Sequence, residues 1–203
     1  MVYSNQSPKR YIVDGPRMSG KSTLLFGHSH RDDSPQNLSS LESIATCIPE
    51  ATEEAHKRLK EMGINGKKDR KSLAERVLEI SAKYLSDAND PTKTYFFDRS
   101  IYSAEKFCKE QGVDISDKIK EVLSQKNFEE TVFLCAPLKS IDGEGRDSYE
   151  IRLKKFDELR QSYETEGYKI IIVPVFNESV KKENTSSRIK FIQEKLRELD
   201  REF

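Results

Sequence analysis

Residues Gly15-Pro16-Arg17-Met18-Ser19-Gly20-Lys21-Ser22 set two glycines, a lysine and a hydroxyl at the spacing G-x-x-x-x-G-K-[ST]. Glycines at these positions permit backbone angles in which successive N–H groups converge on an anion, and a following helix adds the partial positive charge of its N-terminus. At this spacing Lys21 is expected to reach the β- and γ-phosphates of a nucleoside triphosphate, and Ser22 to offer its hydroxyl to Mg²⁺. The candidate nucleotide-binding set is therefore Gly15 through Ser22 together with Thr23. The apolar run Tyr11–Asp14 precedes the loop and a helical pattern follows it, as this chemistry requires.

A second group follows the apolar run Tyr95-Phe96-Phe97. An acid such as Asp98, ending a strand next to a phosphate loop, holds Mg²⁺ directly or through water; an ion pair with a lysine is the structural alternative. Arg99 comes next, where enzymes that activate water usually place a glutamate. A guanidinium stabilises charge on a phosphoryl group in transfer or grips an acceptor phosphate, but it cannot act as a base toward water. Transfer to a bound acceptor is thereby favoured over hydrolysis. Glu50, at the end of the run Ile48-Pro49-Glu50, is a candidate base for an acceptor hydroxyl, or else an acid favoured by a helix N-terminus. Arg146, in a loop with Gly143 and Gly145, is the better candidate to close on the triphosphate, since Arg152 is expected on a helix.

Asp98-Arg99-Ser100-Ile101-Tyr102-Ser103 resembles the Asp/Glu-Arg-Ser/Tyr-x-x-Ser motif of the thymidylate kinase and deoxynucleoside kinase families, with an aromatic at Phe107 and a glycine at Gly112 continuing the likeness. The resemblance implies that Asp98 helps hold Mg²⁺ and that Arg99 contacts the acceptor or the phosphate in transfer. The loop bearing Arg146 and the helix through Phe156, Leu159, Tyr163 and Glu164 are similar to the lid and following helix of those kinases. The same order of elements resembles small kinase-like AAA-domain ATPases related to ribosylnicotinamide kinases. The chain departs from the kinases at Ile48-Pro49-Glu50, where they typically have Glu-Pro, and their thymine-reading residues have no counterpart.

These groups need a scaffold. Apolar runs alternate with helical patterns, the signature of a parallel sheet with helical crossovers. Strands are expected at 11–14, 43–48, 93–98, 131–136 and 168–176. Helices are expected after Lys21, over 51–62 with Gly63 as cap, over 72–85, after Ser100 to Gly112, from an Asp147/Glu150 capping box to Gly167, and over 186–203. Leu153, Phe156, Leu159 and Tyr163 are expected to face inward. The stripe Ile189, Ile192, Leu196, Leu199 and Phe203 is expected to dock on the domain's own sheet, with a homodimer as the alternative. Analogy with P-loop kinases predicts a five-stranded α/β domain in the order 2-3-1-4-5, spanning 1–203 with its core at 10–176.

Lys plus Arg and Asp plus Glu are both 35, and the zero net charge argues against a dedicated nucleic-acid or membrane surface. Cys47, Cys108 and Cys135 read as thiols of a reducing compartment, and the polar N-terminus carries no signal-peptide core; a cytoplasmic location follows as an expectation. His28, His30, Asp32 and Asp33 lie in a polar loop and read as solvated groups. Lys67, Lys68, Arg70 and Lys71 read as a flexible basic loop or a cover for a phosphorylated acceptor. Asp142-Gly143-Glu144-Gly145 spells a GTPase switch motif but follows the fourth strand, and no Asn-Lys-x-Asp exists. The expected function is ATP- and Mg²⁺-dependent phosphoryl transfer to a nucleoside or nucleoside monophosphate. The alternatives are an ATPase or nucleotide switch acting on a partner protein, and a polynucleotide 5′-kinase.

Overall fold

A computed structural model of the chain describes residues 7–27, 40–125, 127–139, 147–177 and 179–201. The five apolar runs become β1 (Lys9–Asp14), β2 (Thr46–Ile48), β3 (Thr94–Asp98), β4 (Thr131–Cys135) and β5 (Lys169–Val173). All neighbours pair in parallel, in the expected order β2-β3-β1-β4-β5. β1 lies at the centre, with Val13 beside Asp98 on one side and beside Phe133 on the other. This places the strand that feeds the phosphate loop next to the strand that ends in the candidate metal ligand.

Helices cover both faces. α1 (Lys21–Phe26) and α7 (Lys181–Leu199) pack on one; α2 (Ala51–Glu61), α3 (Arg70–Asp87), α4 (Ile101–Glu110) and α6 (Tyr149–Thr165) contribute to the core of the other, flanked by α5 (Asp117–Ser124). Successive strand residues point to opposite faces. Ile12 and Phe97 therefore join Leu59, Leu73 and Ile80, whereas Tyr11, Val13 and Phe96 join Leu24, Ile189 and Ile192. The rings of Tyr11, Phe96 and Phe133 meet at centroid distances of 5.7–6.0 Å across three adjacent strands. Burying each such side chain contributes roughly 1.5–3 kcal/mol, which fixes the strand ends that carry the site.

Four expectations need correction. The segment from Ser43 is not strand: Leu41–Ser43 forms a 3₁₀ turn and β2 begins only at Thr46. Among the described residues β2 pairs only with β3, starting opposite Tyr95, so an earlier strand start has almost no partner to bond. Ser148, not Asp147, caps α6 by accepting the Ile151 N–H, while Asp147 takes Lys155 at 2.7 Å. Leu153 does not face inward but is 38% exposed. The last helix starts at Lys181 and ends at Leu199, and Phe203 lies outside the described residues. Its added first turn buries Asn184 and Thr185, whose side chains bond the Phe176 N–H and the Lys181 carbonyl. α5 was not anticipated at all. The three cysteines are free thiols, and no described helix is long and apolar enough to cross a membrane.

Candidate functional site: a phosphate loop and its adjoining cleft

β1 ends at Asp14 and α1 begins at Lys21, so the loop between them is anchored at both ends by regular structure. Met18 and Gly20 hold positive φ, 64° and 79°, the backbone pattern of an anion nest. Gly15 has φ 154°, and a Cβ there would stand 2.6 Å from the Cys135 carbonyl oxygen and 2.9 Å from Ser19 Oγ. Only glycine fits where the loop passes under the end of β4. Lys21 is 8% exposed. Its Nζ donates to the Gly15 carbonyl at 3.2 Å and lies 3.8 Å from an Asp98 carboxylate oxygen. Ser22 and Thr23 follow on the first turn of α1, half-buried.

Asp98, at the end of β3, is 5% exposed, and its Oδ1 is buried without a hydrogen-bond partner. Burial pushes its carboxyl above the ordinary carboxylate range; nearby Lys21 opposes that shift without cancelling it. An unsatisfied buried carboxylate oxygen, on the strand beside the one that leads through the loop to Ser22, is a donor suited to Mg²⁺, a hard cation that takes oxygen ligands and keeps substrate phosphates and waters for the rest. Asp98 and Ser22 thus fit the metal.

Arg99 follows with φ 72°, left-handed backbone that a non-glycine residue rarely adopts. Its N–H bonds the Val13 carbonyl at 3.1 Å, tying the turn to β1. Its guanidinium lies 3.3 Å from Glu50 and 3.9 Å from Asp14. Glu50 is the N-cap residue of α2 yet makes no side-chain cap bond; its Oε1 accepts from the Thr52 hydroxyl at 2.9 Å and faces Arg99. Lys21, Asp98, Arg99 and Glu50 are thus brought together.

Asp14 belongs to the same cluster and was missed in the sequence. One of its oxygens accepts the Gly15 N–H at 2.7 Å and the other the Tyr163 hydroxyl at 2.8 Å. Burial first, then Asp14, raises the Tyr163 phenol well above its ordinary value, which keeps the proton on it as donor. The available clue was an acid ending β1 just as Asp98 ends β3.

A cavity of about 1020 Å³ opens beside the loop, bounded by residues of α2, α3, α4 and α6. Asp14, Arg99, Glu50 and Arg17 stand at the loop end. Also in its lining, the Arg70 guanidinium lies 4.7 Å from the Phe107 ring centroid, within cation–π range. The basic run is not a free loop: the Lys68 and Asp69 N–H groups bond the Asn65 carbonyl, Asp69 caps α3, and Arg70 and Lys71 sit in its first turn. A second cavity of about 510 Å³ lies between the segments after β4 and β5, lined by Pro137, Tyr149, Phe156, Pro174 and Phe176 among others.

Arg146 lies outside the described residues, as do His28, His30, Asp32, Asp33 and the Asp142–Gly145 run. Arg152 is on α6 as expected but fully buried, donating to the carbonyls of Asp147 at 2.5 Å and Leu138 at 3.0 Å. It braces the two ends of the segment that carries Arg146.

A parallel sheet in the order 2-3-1-4-5, with a glycine loop leaving its central strand and Lys21 opposite Asp98, defines the fold of the P-loop NTPases. A family model described as an AAA domain matches residues 10–182, and the chain belongs to that family. None of the curated proteins compared with it matches. Proteins of this type generally bind nucleotide with Mg²⁺, and the family defines a nucleotide-binding protein of ATPase or kinase-like activity.

Proposed function

We propose that the chain transfers the γ-phosphoryl group of ATP to a nucleoside or nucleoside monophosphate. The observation that carries this reading is the cleft of about 1020 Å³ that shares its lining with the phosphate loop, Arg99 and Glu50. A hydrolase needs room for a water; this space takes a second organic molecule, since ligand pockets run about 300–1,000 Å³.

In this reading the loop amides and Lys21 hold the β- and γ-phosphates. Ser22 and Asp98 would hold Mg²⁺, which supplies charge neutralisation on the phosphate oxygens. An acceptor oxygen in the cleft attacks the γ-phosphorus, the bond to the β-phosphate oxygen breaks, and ADP leaves. Arg99 stabilises the charge spread over the transferring group, and Arg146 joins it from the segment after β4. Glu50 takes the proton when the acceptor is a hydroxyl. The smaller cavity, apolar and aromatic, offers a slot for the donor's base.

The test is a panel of nucleosides and nucleoside monophosphates with γ-labelled ATP. Label should move to one acceptor class in the parent chain and to none in Lys21→Ala. ATP hydrolysis indifferent to every acceptor would instead favour the second reading, a nucleotide-driven switch on a partner protein. The AAA-domain match supports that second reading; Arg99 in the place of a water-activating glutamate counts against it.

A further inference from the structure

Arg188, on α7, lies outside the matched family region and has no part in the chemistry above. It is 2% exposed. Among the described residues its hydrogen-bond partners are backbone carbonyls only: Pro174 at 2.9 Å, Ser19 at 2.6 Å, Ala136 at 2.9 Å and Val173 at 3.2 Å. One planar fork thereby fastens the phosphate loop, the residue after β4, the end of β5 and the residue after it.

The shortest of these bonds goes to Ser19, inside the loop. A trans peptide unit is planar, with its C=O and N–H pointing in opposite directions. Holding the Ser19 oxygen toward α7 therefore sends the Gly20 N–H away from α7, toward the loop's other side. Gly20 itself is close enough that a Cβ would stand 3.3 Å from Arg188 Nη1. A buried guanidinium whose described partners are all neutral is costly where an apolar side chain would continue the stripe of Ile189 and Ile192. An anion in the neighbouring loop offsets that cost.

We propose that Arg188 is a positioning residue of the nucleotide site, aiming the Gly20 amide and supplying positive potential to the triphosphate. The C-terminal helix is on this view part of the nucleotide site. The inference rests on polyphosphate binding in the loop and not on the identity of the acceptor.

The experiment measures the affinity of the full chain for Mg·ATP and for adenosine by titration calorimetry, in the parent, Arg188→Met, Arg188→Lys and Ile192→Ala. Ile192→Ala removes core packing from the same helix, in the apolar cluster with Val13, Leu24 and Leu25, and keeps the Arg188 fork. Arg188→Met should weaken ATP binding about tenfold or more, a change equivalent to ~1.4 kcal/mol, and leave adenosine nearly unchanged. Arg188→Lys, which keeps the charge but spans fewer carbonyls, should fall between Met and the parent. An ATP affinity within about twofold of the parent in Arg188→Met, or an equal loss in Ile192→Ala, overturns the proposal. Should Arg188→Met fail to fold, Arg188→Lys decides: a selective loss for ATP supports the role, and parental affinity refutes it. A parent chain that bound no ATP would be a failure of the nucleotide reading itself.

Discussion

At the scale of the residue, Arg99 combines backbone strain with a place in the proposed chemistry. Its left-handed backbone, φ 72°, costs a non-glycine side chain roughly 1–2 kcal/mol. Its ion pair with Glu50 is more than a third exposed at both ends and returns little of that. Arg99→Gly should therefore be no less stable than the parent, with a melting temperature equal or up to ~4 °C higher, while phosphoryl transfer falls by at least about 100-fold. A stable variant with parental transfer rate would remove Arg99 from the chemistry. Asp98 gives a matching contrast. Because burial raises its carboxyl, the folded chain keeps a proton that the unfolded chain has released once pH passes the ordinary carboxylate range. The stability contribution falls as pH climbs from that range through the raised value, and stays low above it. Asp98→Asn removes the penalty, so the nucleotide-free variant should melt above the parent at pH 7 and at the same temperature at pH 3. Nucleotide binding by this variant should respond less to Mg²⁺ than the parent's. The loop and Asp98 were legible because their chemistry demands fixed spacing. Asp14 was not, because a lone acid beside a glycine carries meaning only once Tyr163 arrives from a distant helix.

At the scale of the element, α6 couples the cleft to the loop. Its Tyr163 reads in sequence as one more apolar position, and indeed it is buried, but its hydroxyl reaches across to Asp14 at 2.8 Å. Tyr163→Phe keeps the packing and leaves that carboxylate oxygen without its donor, a loss of about 1–3 kcal/mol. Thermal melts should show a drop of several degrees, and the KM for ATP should rise as the Asp14–Gly15 turn loosens; an unchanged melt and KM would show that the bond is incidental. The boundaries that sequence missed share one cause. The strand start at Thr46 is set by where β3 begins, and the α6 cap by Lys155 drawing Asp147 away. The early start of α7 follows from burial of polar Asn184 and Thr185. Each is a tertiary contact overriding a local preference. α5 is different: Ile119, Val122 and Leu123 stand at helical spacing and pack, partly buried, against the core, so its pattern was legible though short. The sheet itself depends on long apolar runs, and its order was legible by analogy with P-loop kinases.

At the scale of the whole molecule, the sheet divides the labour at β1. The cleft beside the loop lies toward β2 and β3, and the Arg188 clamp toward β4 and β5. A ligand seated at their junction braces both halves. Mg·ATP at about 100 times its Kd should stabilise the fold by ~2.7 kcal/mol, a rise of roughly 5–10 °C in a chain of this size. Lys21→Ala should lose the rise, and its nucleotide-free melt at pH 7 should lie below the parent's, because Asp98 loses the charge that opposes its burial. A full rise in that variant would place the nucleotide elsewhere.

The central position of β1 also shapes how the chain comes to exist. A ribosome delivers this strand before the other four, yet Tyr11 waits for Phe96, and Ile12 for Val132, before either flank is zipped. Until then a nascent chain displays an apolar edge of the kind that aggregates or is held by chaperones. Pairings so distant along the chain make for slow refolding, and the nucleotide-gripping turn, slung between β1 and α1, is held on the sheet side only once β3 and β4 have closed on that strand. In a refolding experiment, helix content should return well before the ability to bind ATP.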